Sequence, residues 1–220
     1  MKLLIDSANA EGVKKYNKIL NIYGVTTNPQ ICVNEHKPFA QIFRELDEVL
    51  TCDQVLCAQP VSTDFENMMA EGRYLANLRK NMIVKIPVTE IGLQVIKILS
   101  KEGITVLGTV VMNTVQGFMG AMNGARYLAP YVNKMSDYTD GVQETISLQK
   151  IIDMNGLNCD VVGCSLKNTT QIHKLMEGGI RAFTISLDLL GKLYNSPLVD
   201  DAVNKFTKSW KEEYGKVKLL

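Results

Sequence analysis

Lys85 stands in the run Met82-Ile83-Val84-Lys85-Ile86-Pro87-Val88, where every neighbour is apolar and several are β-branched. Such a run reads as a parallel strand covered on both faces. An ammonium buried there costs several kcal/mol of desolvation unless it is paired or sheds its proton. Only about one exposed lysine in a few thousand is neutral at pH 7. A site that keeps the amine uncharged therefore creates a nucleophile able to attack a carbonyl. The plain alternative is a lysine whose stem packs in the wall while its head reaches solvent. The strand by itself leaves both open.

Other chemistries have less to work with. The cysteines Cys32, Cys52, Cys57, Cys159 and Cys164 are odd in number and form no C-x-x-C pair, so neither a disulfide framework nor a zinc site is expected. The two histidines, His36 and His173, are far apart and each is followed by lysine. They are expected on helix or loop surfaces, so the mechanism must run without a metal and without histidine. A net charge of +1, with no basic stripe, argues against nucleic acid or a membrane surface as partner. No apolar run is long enough to cross a bilayer. The opening Met1-Lys2-Leu3-Leu4-Ile5-Asp6 meets an acid too early for a signal peptide. A cytoplasmic protein is expected.

Short β-branched runs alternate with helical patterns along the whole chain. Strands read at about 2–6, 24–28, 54–60, 82–88, 105–111, 127–132, 160–166 and 182–187. Between them lie amphipathic segments, such as Phe39, Ile42, Phe43, Leu46, Val49 and Leu50 on one face. Thr63-x-x-Glu66 reads as a capping-box start for the third helix, and Asn168 as the cap of the seventh. Eight such units favour an α/β fold of the closed (β/α)8 TIM-barrel type in a single domain, 1–220. An open doubly wound sheet would usually carry a Gly-rich phosphate turn after its first strand, and none is present. Gly178-Gly179 precedes the eighth strand and reads as a helix C-terminal turn. An additional C-terminal helix is expected at about 198–216, with Val199, Val203, Phe206, Trp210 and Tyr214 on its apolar face. That face covers either its own barrel or a neighbouring copy.

In a barrel, chemistry sits at the C-terminal ends of the strands. Those ends read Asp6, Thr26 to Asn28, Gln59, Lys85, Thr109, Tyr131 with Asn133 and Lys134, and Ser165 with Lys167. Singly, each has a structural role open to it: a helix cap, a turn, a strand hydroxyl, a core aromatic. Together they place hydrogen-bonding groups on seven consecutive strand ends around one buried amine. That is what a polyhydroxylated carbonyl substrate requires, its carbon chain held by hydroxyl contacts while the amine attacks.

Gly24-Val25-Thr26-Thr27-Asn28-Pro29, Ile83-Val84-Lys85-Ile86-Pro87-Val88-Thr89 and Ala129-Pro130-Tyr131-Val132-Asn133 resemble motifs of the transaldolase superfamily, most closely its short-chain branch, the fructose-6-phosphate aldolases. The resemblance implies a class I aldolase without a cofactor. Lys85 forms the Schiff base, and Tyr131 handles protons with a water held by Gln59 and Thr109. Asp6 assists the carbinolamine step, Thr26 and Asn28 hold the dihydroxyacetone moiety, and Ser165, Lys134 and Lys167 receive a phosphate. It also implies a homo-oligomer, pentamer or decamer, whose only other partner is a small sugar or sugar phosphate. Transaldolases typically carry glutamate on strand three and phenylalanine on strand six. Gln59, Tyr131 and Leu107-Gly108-Thr109 match the aldolase branch instead.

Four positions depart from that pattern. Asn28-Pro29-Gln30 replaces Asn-Pro-Ser, and Val110-Val111-Met112 stands where a tyrosine is common. Lys134 replaces an arginine, and Cys164-Ser165-Leu166-Lys167 replaces Ala-Ser-Phe-Lys. A lysine offers a point charge where arginine offers a fork, so looser phosphate binding is expected. A transaldolase, a non-enzymatic sugar-phosphate barrel and a pyridoxal phosphate enzyme remain as competitors.

Overall fold

The computed structural model of the chain describes residues 1–219. The first half alternates β1 (Lys2–Asp6), α1 (Ala10–Asn17), β2 (Gly24–Thr26), α2 (Pro29–Val33), α3 (Phe39–Val49), β3 (Val55–Ala58), α4 (Phe65–Ala76) and β4 (Met82–Pro87). The chain continues through α5 (Glu90–Lys101), β5 (Val106–Val111), α6 (Thr114–Met122), β6 (Tyr127–Pro130), α7 (Val132–Met135) and α8 (Gly141–Met154). It ends with β7 (Asp160–Gly163), α9 (Thr169–Glu177), β8 (Ala182–Ile185), α10 (Leu187–Lys192) and α11 (Pro197–Tyr214). All eight strands pair in parallel in chain order, and β8 returns to β1 to close a TIM barrel.

Alternation along the strands sorts side chains into two apolar clusters. Leu4, Cys57, Ile83, Leu107, Tyr127, Ala129, Val162, Cys164 and Ala182 pack inside the barrel. Ile5, Val25, Leu56, Val84, Ile86, Val106, Leu128, Val161 and Phe183 belong to the larger cluster between strands and helices. That outer layer must be thin in places. A Cβ on Gly92 of α5 would collide with the Pro87 carbonyl at the end of β4.

Several strands are shorter than the sequence reading, chiefly at the functional end, and β3 and β5 also start one residue later than expected. Residues 27–28, 59–60, 132, 165–166 and 186–187 leave the ladder and enter loops or helix caps, while Tyr131 and Cys164 keep an isolated parallel bridge to each other. The third long helical segment is capped by Asp64, not Thr63. The Asp64 carboxylate accepts from both Asn67 N and Asn67 Nδ2 at 3.0 Å, a pair of bonds that a threonine hydroxyl cannot make. Asn168 does cap α9, accepting from Gln171 N at 2.9 Å. Gly178 ends α9 and Gly179 takes φ 89°, as a C-terminal turn requires.

The C-terminal helix begins one residue before the expected start and stops earlier. Gly215, at φ 67°, breaks it after Tyr214, so Lys216 lies outside. A short helix the sequence reading did not separate, α10, comes between it and β8. No residue of α11 is buried; Phe206 is 70% exposed and Leu198 79%. Its apolar stripe is real and does not cover its own barrel.

Candidate active site

Asp6, Thr26, Gln59, Lys85, Thr109 and Tyr131 stand at or just beyond the C-terminal ends of six strands, with Ser165 just past β7. The inward phase of the first six strands aims their residues into one barrel mouth, whereas Ser165 follows the inward-facing Cys164 and sits at a left-handed turn of the backbone. Lys85 is only 5% exposed. None of the ion pairs among the described residues includes it, so no carboxylate holds the amine.

Asp6 is held from the side. Thr26 Oγ1 donates to Asp6 Oδ1 at 2.6 Å and lies 2.5 Å from Thr184 Oγ1. Thr26 has one hydroxyl proton and it is committed to Asp6, so Thr184 must donate to Thr26. Thr184, on β8, is a residue that sequence reasoning missed. It had a visible signal, a polar side chain at an inward position of the otherwise apolar Ala182-Phe183-Thr184-Ile185.

Gln59 Oε1 and Thr109 Oγ1 are buried and have no hydrogen-bond partner among the described residues. They sit on or beside β3 and β5, the strands pairing with either edge of β4. A buried polar atom without a partner costs about 1–3 kcal/mol. The two atoms bracket the lysine strand with unspent acceptors, which a water or a substrate hydroxyl would satisfy.

The remaining positions are less enclosed. Asn28 caps α2, its side-chain oxygen accepting from Ile31 N at 2.9 Å, so its amide N–H group is what it can offer a ligand. Tyr131 is half-buried, and the Lys134 ammonium lies over its ring at 5.4 Å from the centroid. Lys134 and Lys167 are both exposed at the rim. A cleft of about 200 Å³ lies beside Asn28, Cys32, Phe39 and Gln59, past the ends of β2 and β3.

Two thiols share the interior with the amine. Burial pushes Cys57 up to about 12 although the nearby Lys85 charge pulls the other way, and burial likewise raises Cys164. Both stay protonated at neutral pH and do not compete as nucleophiles. His36 and His173 are both exposed, as expected of loop or helix surfaces. Among the described residues no group of three or more metal-ligating side chains occurs, and no helix is long and apolar enough to cross a membrane.

Comparison with known proteins bears on the fold and on the family. Solved structures of a flavocytochrome b2 double mutant, one with pyruvate bound and one with sulfite bound, superpose with a TM-score of 0.59 at 10% identity. They cover 84% of this chain, which spans 56% of theirs, and at that identity they speak for the barrel fold alone. The sequence profile described as transaldolase/fructose-6-phosphate aldolase matches residues 3–217. The chain is an enzyme of that transaldolase/fructose-6-phosphate aldolase family. One relative, a probable transaldolase of Clostridium acetobutylicum, is 33% identical over 217 residues, covering 98% of this chain and all of its own length.

Proposed function

We propose that this protein is a single-domain class I aldolase that cleaves fructose 6-phosphate, or a similar ketose, to dihydroxyacetone and glyceraldehyde 3-phosphate. Lys85 Nζ attacks the ketose C2 carbonyl to give a carbinolamine, and loss of water gives the imine. The protonated imine draws in the electron pair of the C3–C4 bond as that bond breaks. Tyr131 gives its phenol proton, directly or through a water, to the departing carbinolamine hydroxyl; its oxygen then takes the C4 hydroxyl proton as the aldehyde departs, and returns it to the enamine. Protonation of the resulting enamine at C3 and hydrolysis release dihydroxyacetone. Asp6, oriented by Thr26, assists the carbinolamine step, while Asn28 and Thr26 hold the three-carbon unit. Ser165, Lys134 and Lys167 receive the phosphate.

The observation that carries the aldolase reading is the pair of unpartnered buried atoms, Gln59 Oε1 and Thr109 Oγ1, flanking the lysine strand. They suit a held water that relays a proton between Tyr131 and the enamine. A neutral amide at position 59 and a phenol at position 131 favour protonation and release. The second reading is a transaldolase, in which the enamine waits for an acceptor aldose; the name of the Clostridium relative favours it.

Borohydride reduction with dihydroxyacetone should add a three-carbon unit at Lys85. Wild-type protein should cleave fructose 6-phosphate without an acceptor. Tyr131→Phe should slow cleavage about 10²-fold or more while trapping persists. A requirement for erythrose 4-phosphate, or normal cleavage by Tyr131→Phe, would replace aldolase with transaldolase.

The exposed stripe of α11 belongs to the same proposal as an intersubunit contact, since apolar faces of that size mark interfaces. Truncation before Pro197 should lower the particle mass seen by light scattering. An unchanged mass would remove α11 from the assembly.

A further inference from the structure

Two strand ends at the mouth carry the same backbone device. Val110 and Ser165 both adopt left-handed conformations, at φ 58° and 55°. For a β-branched valine this is a genuine outlier. The kinks change which way the next side chain faces. Leu107 and Thr109 point into the barrel, and strict alternation would bring Val111 in above them. Instead the β5–β6 register shifts between Gly108 and Val111, and Val111 joins the outer cluster. On the other side Val162 and Cys164 face inward, yet Leu166 also packs in the outer cluster. Each kink withdraws one apolar side chain from the space directly above the site.

The kinks are held alike. Val110, Asn113 and Gln116 repeat the spacing of Ser165, Asn168 and Gln171. Asn113 caps α6 through Gln116 N at 2.8 Å, as Asn168 caps α9 through Gln171 N. Gln116 Nε2 then donates to Val88 O at 2.8 Å and Val110 O at 3.1 Å, while its Oε1 accepts from Met112 N at 2.7 Å. Val88 N already donates to Thr109 O, so the Gln116 amide takes the carbonyl to which a regular ladder would bring the next β5 N–H. Gln171 Oε1 accepts from Lys167 N at 2.8 Å, and its Nε2 donates to Asn133 Oδ1 at 3.3 Å.

Tyr131 hangs between these two clamps. Its N–H donates to Val111 O at 2.9 Å, Val132 N donates to Cys164 O at 3.2 Å, and Asn133 N donates to Ser165 O at 3.3 Å. We propose that Gln116 and Gln171 are positioning residues, paired amide clamps that hold the kinks at Val110 and Ser165 and thereby set the Tyr131 phenol over an open mouth. This rests on the reading of Tyr131 as the proton carrier. Gln116 is the stronger clamp, because it ties three backbone groups where Gln171 ties one.

Gln116→Leu keeps the side-chain volume and loses all three bonds. It should lower kcat for ketose cleavage at least about 10-fold with KM within about threefold, leaving borohydride trapping at Lys85 intact. Amide exchange at Tyr131 should quicken. Adding Val110→Gly should reverse both effects, because glycine takes the left-handed conformation without a clamp. Gln171→Leu should act in the same sense by about threefold. Gln116→Glu, which keeps the acceptor but loses the donors, serves if Gln116→Leu does not fold. Wild-type kcat with a protected Tyr131 amide in Gln116→Leu, or no reversal by glycine, would overturn the proposal. If wild-type protein neither traps nor cleaves a ketose, the functional reading falls, and exchange at Tyr131 still decides the clamp.

Discussion

At the N-terminal end of the barrel Lys2 donates to Asp160 at 2.9 Å and to Tyr127 at 3.1 Å, and the Tyr127 and Tyr23 hydroxyls meet at 3.2 Å. Arg126 approaches Asp160 at 3.2 Å and stacks on the Tyr127 ring. Apart from one Arg126 nitrogen, this floor spends its polar groups on one another. At the C-terminal end Gln59 and Thr109 keep buried atoms unspent, Lys85 has no ion pair among the described residues, and Val110 and Ser165 are twisted left-handed, where the N-terminal end has only Asn81, a residue type that tolerates it, just before β4. Strained residues of that kind cost about 1–3 kcal/mol each. The floor is built to hold the barrel shut and the mouth to receive something, and the second task is met at the expense of stability.

The largest test of this contrast is Lys85→Met. It should abolish imine trapping and cleavage, yet raise stability by about 1 kcal/mol or more, a gain of about 2–4 °C in Tm. A fall in Tm would mean the lysine supports the fold. Asp160→Leu should do the opposite, costing about 1–3 kcal/mol by leaving Lys2 and Arg126 without their carboxylate, with kcat unchanged.

The pH dependence of Asp160→Leu sharpens the point. Burial alone would raise the Asp160 carboxyl, but the Lys2 hydrogen bond and the Arg126 and Lys2 charges together hold it below the ordinary range. Its contribution is therefore present above the usual carboxylate pKa and is lost as pH falls through the depressed folded value. The variant should show a flatter acid limb in thermal melts, and an unchanged limb would mean that Asp160 is not the group responsible.

The smallest expected effect concerns thiols. Cys57 and Cys159 are both pushed up to about 12 by burial, so iodoacetamide at pH 8 should label exposed Cys52 well before either. Early modification of Cys57 would show the mouth to be more open than its packing implies.

The barrel and its lysine were legible because apolar β-branched runs are long enough to mark eight strands, and a charge inside one stands out. The strand ends were not, since apolar alternation runs on through Tyr131-Val132 and Cys164-Ser165-Leu166 after the ladder has stopped. Nothing in composition records the sign of φ at Val110 or Ser165, so the kinks were hidden, and the only trace of the amides behind them is the Asn-x-x-Gln spacing repeated at Asn113–Gln116 and Asn168–Gln171. Neighbouring cap candidates such as Thr63 and Asp64 differ only in which one the helix chooses. Thr184 was legible and was passed over.

The line from Thr184 through Thr26 to Asp6 ties the first strand to the last. β1 gains its second neighbour only when β8 docks, and Thr26 gains its hydrogen-bond donor in the same event. Thr26 can meet Asp6 as soon as β1 and β2 pair, but its hydroxyl gains a second partner, and with it a fixed direction, only when the last strand arrives. The hydrogen bond that fixes the Thr26 hydroxyl thus spans most of the chain, and closing the circle is what completes it.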